Sequence, residues 1–227
     1  MSPSPGERWC LVSGGSGGIG AAVCERLAQR EIRPIVAYHR AESTARALAE
    51  RYAGLALQLD LRSADSISGA AQRLEALPWL SGVILAGSPA PNLVPFGKLS
   101  ADQLEEQWQV NVLGPQQLLA QLIRLRFRQQ RAGVVLGVLS RAMGGPGEPA
   151  TPNMGAYVIA KYGLCGVLAA VAADYPWLRV RSVRPGYTET PMLRAFDERF
   201  LELERAKAAF QTPGAVADLI LKEAFEA

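Results

Sequence analysis

Short and nearly continuous apolar runs alternate along this chain with longer stretches in which apolar residues recur at helical spacing. The apolar runs predict six strands, at residues 9–13, 33–38, 55–59, 82–86, 134–139 and 180–183. The stretches between them predict helices at residues 19–30, 43–52, 64–77, 101–131 and 156–173. Several runs lack a two-residue alternation, which is typical of strands that are covered on both faces. The order predicts an α/β fold, a doubly wound parallel sheet with helices on both faces.

The long helical stretch at residues 101–131 contains a proline. Ser100 and Gln103 form a capping-box pattern that predicts the start of the helix. Pro115 has no N–H, so it cannot bond the carbonyl of Asn111 four residues earlier. The pattern therefore predicts a kink or a boundary between two helices, and a carbonyl at Asn111 that is free to bind another group, such as a water.

Length and charge narrow the class of protein. A chain of 227 residues suits one compact domain, and we expect a single domain over residues 1–227. Apolar residues make up 49% and charged residues 20% of the chain, a balance typical of globular proteins. The net charge of +3 is too small to indicate nucleic-acid binding by itself.

The chain has a single histidine, His39, and three cysteines, Cys10, Cys24 and Cys165. The cysteines lack the CxxC spacing of a zinc site, so we expect no metal, and they suit a reducing compartment. The N-terminus has no apolar core like that of a signal peptide, and no uninterrupted apolar stretch reaches the length of a membrane span. We therefore expect a soluble, cytoplasmic protein that does not bind a membrane.

The first predicted strand runs into the glycine-rich sequence Ser13-Gly14-Gly15-Ser16-Gly17-Gly18-Ile19-Gly20 and then into a helix. Glycines let the backbone approach a diphosphate, and a helix N-terminus offers free N–H groups to it. The sequence thus predicts a nucleotide site. The same run also matches the G-x-S-x-G pattern of α/β-hydrolases, which requires a histidine late in the chain. The position of His39 argues against that alternative.

Ser13-Gly14-x-x-x-Gly18-Ile19-Gly20 resembles the TGxxxGxG loop of the short-chain dehydrogenase/reductase family, with serine in place of threonine. The resemblance extends to about Leu221 and implies a Rossmann-type fold that binds a nicotinamide dinucleotide. In the loop it implies contacts from Gly14, Ser16, Gly18, Ile19 and Gly20.

The end of the second strand favours NADP(H) over NAD(H). No acid stands there, whereas His39 and Arg40 could hold a 2′-phosphate, with help from Ser43. Asp60 and Leu61 resemble the family position at which a carboxylate meets the adenine amino group, although a helix-capping role would also explain Asp60. Where the family has NNAG, this chain has Ile84-Leu85-Ala86-Gly87, so we expect Ala86 and Gly87 to pass close to the cofactor with altered local support.

Tyr157 and Lys161 lie at i and i+4 of a predicted helix, so they share one face. Together with Ser140 at the end of strand five and with Asn111, they resemble the family's catalytic tetrad. The resemblance implies that Tyr157 exchanges a proton with the substrate oxygen and that Ser140 hydrogen-bonds the carbonyl. It implies that Lys161 lowers the pKa of Tyr157 and binds the nicotinamide ribose, and that the Asn111 carbonyl binds a water leading to Lys161.

The residues after strand six, Arg184-Pro185-Gly186-Tyr187-Thr188-Glu189-Thr190, resemble the family's PGxxxT segment. The resemblance implies cofactor contacts from Pro185 and Gly186, from the backbone of Thr188 and from the hydroxyl of Thr190. A simple Pro-Gly turn is the alternative interpretation.

Two regions beside the site depart from the family's common pattern. The spacing from Ser140 to Tyr157 is long, so residues 144–155 are expected to form an enlarged loop beside the substrate. Residues 191–211 carry several apolar side chains where the family has its substrate lid, although these could simply pack a helix. The chain ends at Ala227 without a segment like the family's usual final strand, which makes a dimer through residues 116–131 and 157–173 an alternative to a tetramer.

The resemblance thus implies an NADP(H)-dependent oxidoreductase acting on a carbonyl/alcohol pair, with 3-oxoacyl-carrier-protein reductase as one candidate activity. Four arginines near the end of the long helix could bind an acidic partner such as an acyl carrier protein, or they could form a solvated basic helix end. They are Arg124, Arg126, Arg128 and Arg131. A non-catalytic dinucleotide sensor on the same fold is the alternative function, against which the intact tetrad argues.

Overall fold

The computed structural model describes residues 7–226, which contain a six-stranded, all-parallel sheet with the strand order β3-β2-β1-β4-β5-β6. The strands are β1 (Arg8–Ser13), β2 (Arg33–Tyr38), β3 (Leu55–Gln58), β4 (Trp79–Leu85), β5 (Val134–Val138) and β6 (Arg179–Val183). The predicted doubly wound sheet and its six strands are confirmed, with boundaries that move by at most three residues.

The α-helices of the described chain are α1 (Gly18–Ala28), α2 (Glu42–Arg51), α3 (Ala64–Glu75), α4 (Ala101–Trp108), α5 (Gly114–Leu122), α6 (Arg128–Gln130), α7 (Gly155–Asp174), α8 (Glu198–Lys207) and α9 (Pro213–Phe225). Short 3₁₀ turns occur at Phe96–Lys98, Arg141–Met143 and Pro191–Ala195. The hydrophobic pattern did not predict α9, which packs against α1.

Two apolar layers cover the two faces of the sheet. Neighbouring residues of a strand point to opposite faces, and Cys10 and Leu11 of β1 accordingly belong to different clusters. The Cys10 side is covered by α1, α2 and α9, and the Leu11 side by α3, α5 and α7. Strands that are buried on both faces explain the continuous apolar runs in the sequence.

The long helical stretch from Ala101 continues through Pro115 without a loop. Between α4 and α5 the chain makes a π-helical turn, Gln109–Leu113, in which the N–H of Gly114 donates to the carbonyl of Gln109. This wider turn accommodates the missing N–H of Pro115, which lies in the first turn of α5. A second π turn, Ile123–Phe127, follows, and the stretch ends where Arg131 adopts a left-handed conformation with φ of 51°.

Among the described helices, α7 is long and apolar enough to cross a membrane by length and composition, with a mean hydropathy of 1.7 over its best window. Its inner side nevertheless packs on the sheet: Leu164 and Leu168 are buried in the same cluster as strand residues of β1, β4 and β5. We therefore interpret α7 as a core helix of this fold.

The strand order reverses between β1 and β4. The connections that leave β1 and β4 run in opposite directions there, which opens a crevice at the carboxyl ends of the strands. The glycine-rich loop follows β1, the Ala86-Gly87 pair follows β4, and Ser140 follows β5. The topology thus brings three predicted site segments to one edge of the sheet.

Candidate active site

The glycine-rich loop packs directly against the chain that leaves β4. Gly14 has φ of +65°, and a Cβ atom on it would lie 2.7 Å from the Cα of Gly87. The Ser13 hydroxyl accepts a hydrogen bond from the N–H of Gly87 at 3.1 Å, which ties the two segments together. Glycine is therefore required at position 14 by both the backbone conformation and the close approach.

A second close approach connects the start of α1 with the segment after β6. A Cβ atom on Gly18 would lie 2.5 Å from Cγ2 of Thr190. Gly17 is the N-cap residue of α1, and no side chain caps this helix end. The first turn of α1 therefore presents backbone groups, which suits an anionic ligand.

A cavity of about 550 Å³ extends from this loop across the ends of β2 and β3. Its lining includes most of the residues predicted to bind the cofactor: Gly14, Ser16, Gly18, Ile19, Gly20, His39, Arg40, Asp60, Leu61, Ala86, Gly87 and Thr190. The cavity also includes Arg62, which the sequence analysis did not single out.

Asp60 organises the charged end of this cavity. One carboxylate oxygen of Asp60 accepts from the backbone N–H and from Nε of Arg62, at 3.0 and 3.1 Å, and the other accepts from Nη2 at 3.2 Å. Nε2 of His39 lies 3.3 Å from the same carboxylate and 3.1 Å from the Arg62 guanidinium. The hydrogen bonds from Arg62 lower the pKa of Asp60, against the opposing effect of partial burial.

Arg40 is the remaining cation at this end of the cavity. Within residues 7–226 no acid pairs with its guanidinium. The turn after β3 brings Asp60 and Arg62 to the end of β2, where both contact the ring of His39, the residue predicted to face a phosphate beside Arg40. Arg40 and Arg62 are the arginines that line this end of the cavity.

A second cavity, of about 340 Å³, adjoins the first and shares Ile19, Ala86, Ser88, Thr190 and Met192 with it. Ser140, Tyr157 and Lys161 line this second cavity, as do Pro185, Gly186 and Thr188. The fold thus brings three of the four predicted catalytic residues together at the carboxyl end of β5.

Lys161 is the most deeply buried of these groups, with 2% of its surface exposed. Its ammonium donates to the carbonyl oxygen of Val138 at 3.0 Å and lies 5.4 Å from the centre of the Tyr157 ring. Burial lowers the pKa of Lys161 to about 7. Burial also raises the pKa of Tyr157, and a hydrogen bond with Ser140 opposes that rise.

Asn111 differs from the other three predicted catalytic residues in its surroundings, although its π turn packs against α7, which carries Tyr157 and Lys161. It lies on the π turn between α4 and α5, is buried, and lines neither cavity. Its amide donates to the backbone and side-chain oxygens of Gln107 at 3.0 and 3.1 Å, and Gln107 in turn donates to the carbonyl of Ala90 at 2.7 Å. The side chain of Asn111 therefore connects the long helix to the chain after β4.

The Pro185-Gly186 segment is fastened by Gln211, a residue that the sequence analysis did not predict. Oε1 of Gln211 accepts from the N–H of Gly186 at 2.9 Å, and its backbone N–H donates to the carbonyl of Tyr187 at 2.8 Å. Thr188 is buried, and its hydroxyl donates to the Gly186 carbonyl at 3.1 Å. Residues 185–188 are thus held rigidly beside the cavity.

Residues 191–211 lie against the second cavity, where an apolar lid was expected. Met192, Leu193, Phe196 and Phe210 line the cavity. Leu201 is buried, and Phe200 packs at 5.7 Å from Phe196. Tyr187 stacks on Phe210 with ring centres 5.0 Å apart. This segment therefore gives the cavity a mostly apolar wall that includes two phenylalanines.

The long connection at residues 144–155 also reaches the cavity, through Thr151 and Met154. Its outer part forms a turn in which Gly145 and Glu148 exchange backbone hydrogen bonds at 3.0 and 3.1 Å. The carbonyl of Asn153 accepts from the N–H of Val94 at 3.0 Å, which joins this connection to the chain that follows β4.

The glycine-rich loop lies in the crevice where the strand order reverses, and Ser140, Tyr157 and Lys161 lie beside it. A doubly wound sheet with this arrangement is typical of a dinucleotide-dependent oxidoreductase. Residues 8–199 match the family model described as short chain dehydrogenase. The chain belongs to this family.

Curated relatives and solved structures agree with this assignment. The chain is 26% identical to the 3-oxoacyl-[acyl-carrier-protein] reductase MabA of Mycobacterium avium, over 96% of this chain and 84% of that protein. It is 28% identical to the 3-oxoacyl-[acyl-carrier-protein] reductase of Bos taurus, over 86% and 82% respectively. The fold is similar to a 3-ketoacyl-(acyl-carrier-protein) reductase from Brucella melitensis complexed with NADH, with a TM-score of 0.86, 20% identity and coverage of 96% and 91%.

Proposed function

We propose that the protein is an NADP(H)-dependent oxidoreductase that interconverts a ketone or aldehyde and an alcohol. The observation that supports this most directly is the position of Ser140, Tyr157 and Lys161 around one cavity, which is continuous with the cavity at the glycine-rich loop. A proton-transfer group and a cofactor cradle thus meet at one point.

The residues of the first cavity fit a dinucleotide. The backbone of the loop at Gly14 and Gly18 leaves no space for a side chain, while the uncapped start of α1 offers its dipole and N–H groups to a diphosphate. Pro185, Gly186, Thr188 and Thr190 would hold the carboxamide end beside the second cavity. When bound, the nicotinamide accepts or supplies the hydride of the reaction.

Three side chains of this protein then carry out the proton chemistry. Ser140 hydrogen-bonds the substrate carbonyl and holds it beside Tyr157. The Tyr157 hydroxyl donates its proton to the substrate oxygen in reduction and accepts a proton in oxidation. Lys161, when protonated, favours the phenolate because a nearby cation stabilises the anion and lowers the tyrosine pKa.

In the proposed reaction Asn111 acts through its main chain. Its side chain is used in hydrogen bonds to Gln107, and Pro115 cannot donate to its carbonyl. The carbonyl could therefore accept from a water on the way to Lys161, while the side chain supports the chain after β4.

The preference for NADP(H) is supported by the charges at the ends of β2 and β3. Arg40 has no acidic partner within the described chain, and Arg62 lines the same cavity. The Asp60 carboxylate, which would repel a phosphate, is already bonded to Arg62 and close to His39. A 2′-phosphate would add the further anion that this group of cations can bind.

For the substrate, a 3-oxoacyl thioester is one candidate, since two relatives carry that activity in their names. Docking of an acyl carrier protein on the four arginines is less well supported. Arg126 donates to the carbonyls of Glu75, Leu77 and Pro78, and Arg131 lies over the ring of Trp177 at 5.0 Å. Within residues 7–226, Arg124 and Arg128 of that cluster carry no such contact.

The substitution Tyr157→Phe tests the proposed chemistry. We expect it to reduce cofactor-dependent carbonyl reduction by 100-fold or more, in line with the usual contribution of general acid catalysis, while NADPH still binds. The matched control is Tyr162→Phe on the same helix, whose hydroxyl donates to the Met143 carbonyl at 3.2 Å. Turnover that survives Tyr157→Phe would overturn the assignment. NADPH binding with no reduction of any carbonyl by the parent protein would favour the dinucleotide sensor.

A further inference from the structure

Arg141 contributes an unpaired cation to the wall of the second cavity. It directly follows Ser140, lines the cavity and is exposed. Within residues 7–226 its guanidinium has no hydrogen bond, ion pair or ring contact. A cation without a partner in a ligand cavity is free to bind an anion that enters with the ligand.

The other charged groups of this cavity already have partners. Lys207 donates to Glu204 at 2.6 Å, so these two charges offset each other. Lys161 donates to the Val138 carbonyl and lies against Tyr157. Among the described lining residues, Arg141 therefore supplies the positive charge that is not compensated.

The backbone fixes the direction from which Arg141 enters. Its N–H donates to the carbonyl of Pro185 at 2.9 Å, which joins the end of β5 to the segment after β6. Its Cδ atom lies 3.6 Å from the point where a Cβ on Gly186 would stand. The stem of Arg141 thus runs beside Gly186, in the lining of the cavity that also contains Ser140 and Tyr157.

We propose that Arg141 is a specificity-determining residue and that the substrate is an oxo compound bearing an anionic oxygen group, a carboxylate or a phosphate. The guanidinium binds this group while the aromatic wall around Tyr187 and Phe210 takes the apolar part. The inference rests on the proposed carbonyl chemistry and goes beyond it. It also favours a free oxo acid over its thioester or ester, in which the carboxylate charge is absent.

Matched pairs of substrates test this proposal. One arm compares 3-oxobutanoate, 4-oxopentanoate and 5-oxohexanoate with their methyl esters, which keep the shape but lose the charge. The other arm compares dihydroxyacetone phosphate with dihydroxyacetone. For the parent protein we expect kcat/KM to favour the charged member of at least one pair by tenfold or more, and the arm in which this occurs identifies the anion.

The variants are Arg141→Gln, Arg141→Lys and the control Arg194→Gln, which removes a nearby exposed cation that does not line the cavity. Arg141→Gln should lower kcat/KM for the charged member at least tenfold, chiefly through KM, because a charge-assisted hydrogen bond is lost. The value for the neutral member, which makes no such bond, should stay within about twofold of the parent's. Arg141→Lys should recover part of the loss, and Arg194→Gln should change neither member.

The failures of the two proposals differ. If the parent protein reduces no carbonyl compound, the proposed oxidoreductase function fails. The role of Arg141 is then decided by calorimetry, which compares the binding of 4-oxopentanoate to the parent and to Arg141→Gln in the presence of NADP⁺. If the parent protein reduces neutral and charged members equally well, or if Arg141→Gln weakens both equally, the function stands and the anion-binding role of Arg141 is wrong.

Discussion

The ammonium of Lys161 donates a hydrogen bond to the main-chain carbonyl of Val138 at 3.0 Å. Both residues line the second cavity, and the hydrogen bond joins α7 to the end of β5. The buried ammonium is thus held by a neutral dipole. A dipole compensates only in part for the loss of water around a charge, so burial lowers the pKa of Lys161 to about 7.

This arrangement predicts a specific dependence of stability on pH. The pKa of Lys161 is lowered on folding from the ordinary value of 10.5, so between about pH 7 and 10 the unfolded chain binds more protons than the folded chain. The contribution of Lys161 to the free energy of unfolding therefore rises with pH, by up to about 1.4 kcal/mol per pH unit in that window.

Lys161→Met removes this contribution. We expect the variant to be more stable than the parent near pH 6, and the difference to shrink steadily as the pH rises towards 9. Urea unfolding of both proteins without cofactor at four pH values measures this difference, because groups common to both proteins cancel. A difference that stays constant with pH would show that Lys161 does not titrate in this range.

The cavity at the ends of β2 and β3 predicts a separation between the two cofactors. Arg40→Gln should weaken NADPH binding tenfold or more, because a charge-assisted hydrogen bond to the 2′-phosphate is worth roughly 1.5–3 kcal/mol. NADH, which lacks that phosphate, should be affected by less than about threefold. Dissociation constants from fluorescence titration measure both effects.

Arg62→Gln should weaken NADPH binding at least as strongly, because it also leaves the Asp60 carboxylate without its main hydrogen-bond donor. Arg46→Gln is the matched control on α2. Arg46 forms an ion pair with Glu42 at 2.7 Å, and neither residue lines the cavity. Equal losses for NADPH and NADH in the Arg40 variant would contradict the preference for NADP(H).

How far the sequence could predict this site depends on the range of the interactions. The glycine-rich loop, Ser140 and the Tyr157–Lys161 pair are local patterns, and the strand periodicity brings them to one edge of the sheet. Arg62 could have been suggested as a cation two residues after Asp60. Its contact with His39 depends on how the turn after β3 faces the end of β2, which no local pattern specifies.

The local patterns did not predict Gln211 as a site residue, and they did not predict α9. The hydrogen bond from Gly186 to Gln211 joins residues 25 positions apart across a connection that itself contains α8. The start of α9 did have a local signal: Thr212 caps the helix by accepting from the N–H of Ala215, and Pro213 occupies its first turn. The buried residues of α9 also recur at helical spacing on one face, so this helix had a periodic signal as well; they are Val216, Ala217, Ile220, Leu221 and Ala224.

The approach of Gly18 to Thr190 predicts an interaction between two substitutions. Gly18→Ala adds a Cβ atom only 2.5 Å from Cγ2 of Thr190, so the start of α1 or the segment after β6 must shift. We expect the affinity for NADPH and NADH to fall by similar factors, at least tenfold, because the backbone cradle serves the part that both cofactors share.

Thr190→Ser removes Cγ2 and keeps the hydroxyl, so the double variant should recover part of the affinity that Gly18→Ala loses. Full recovery is not expected, because Cβ of Thr190 would still lie 2.7 Å from the added atom. Strictly additive losses in the double variant would contradict a direct contact between the two positions.

The contacts of Arg126 predict that its substitution lowers the stability of the fold and leaves kcat/KM unchanged. Its guanidinium donates to the carbonyls of Glu75, Leu77 and Pro78 at 2.9, 2.6 and 3.0 Å, at and just beyond the end of α3. Burial lowers the pKa of this arginine. Arg126→Met keeps the apolar stem but leaves these carbonyls without their donor, so we expect the free energy of unfolding to fall by about 1–3 kcal/mol.

The control is Arg124→Met, on the same π turn and without such contacts, which should change the free energy of unfolding by less than about 0.5 kcal/mol. Urea midpoints of the two variants, measured beside kcat/KM, decide between this structural role and partner docking. Unchanged stability in Arg126→Met would return Arg126 to the set of arginines available to an acidic partner.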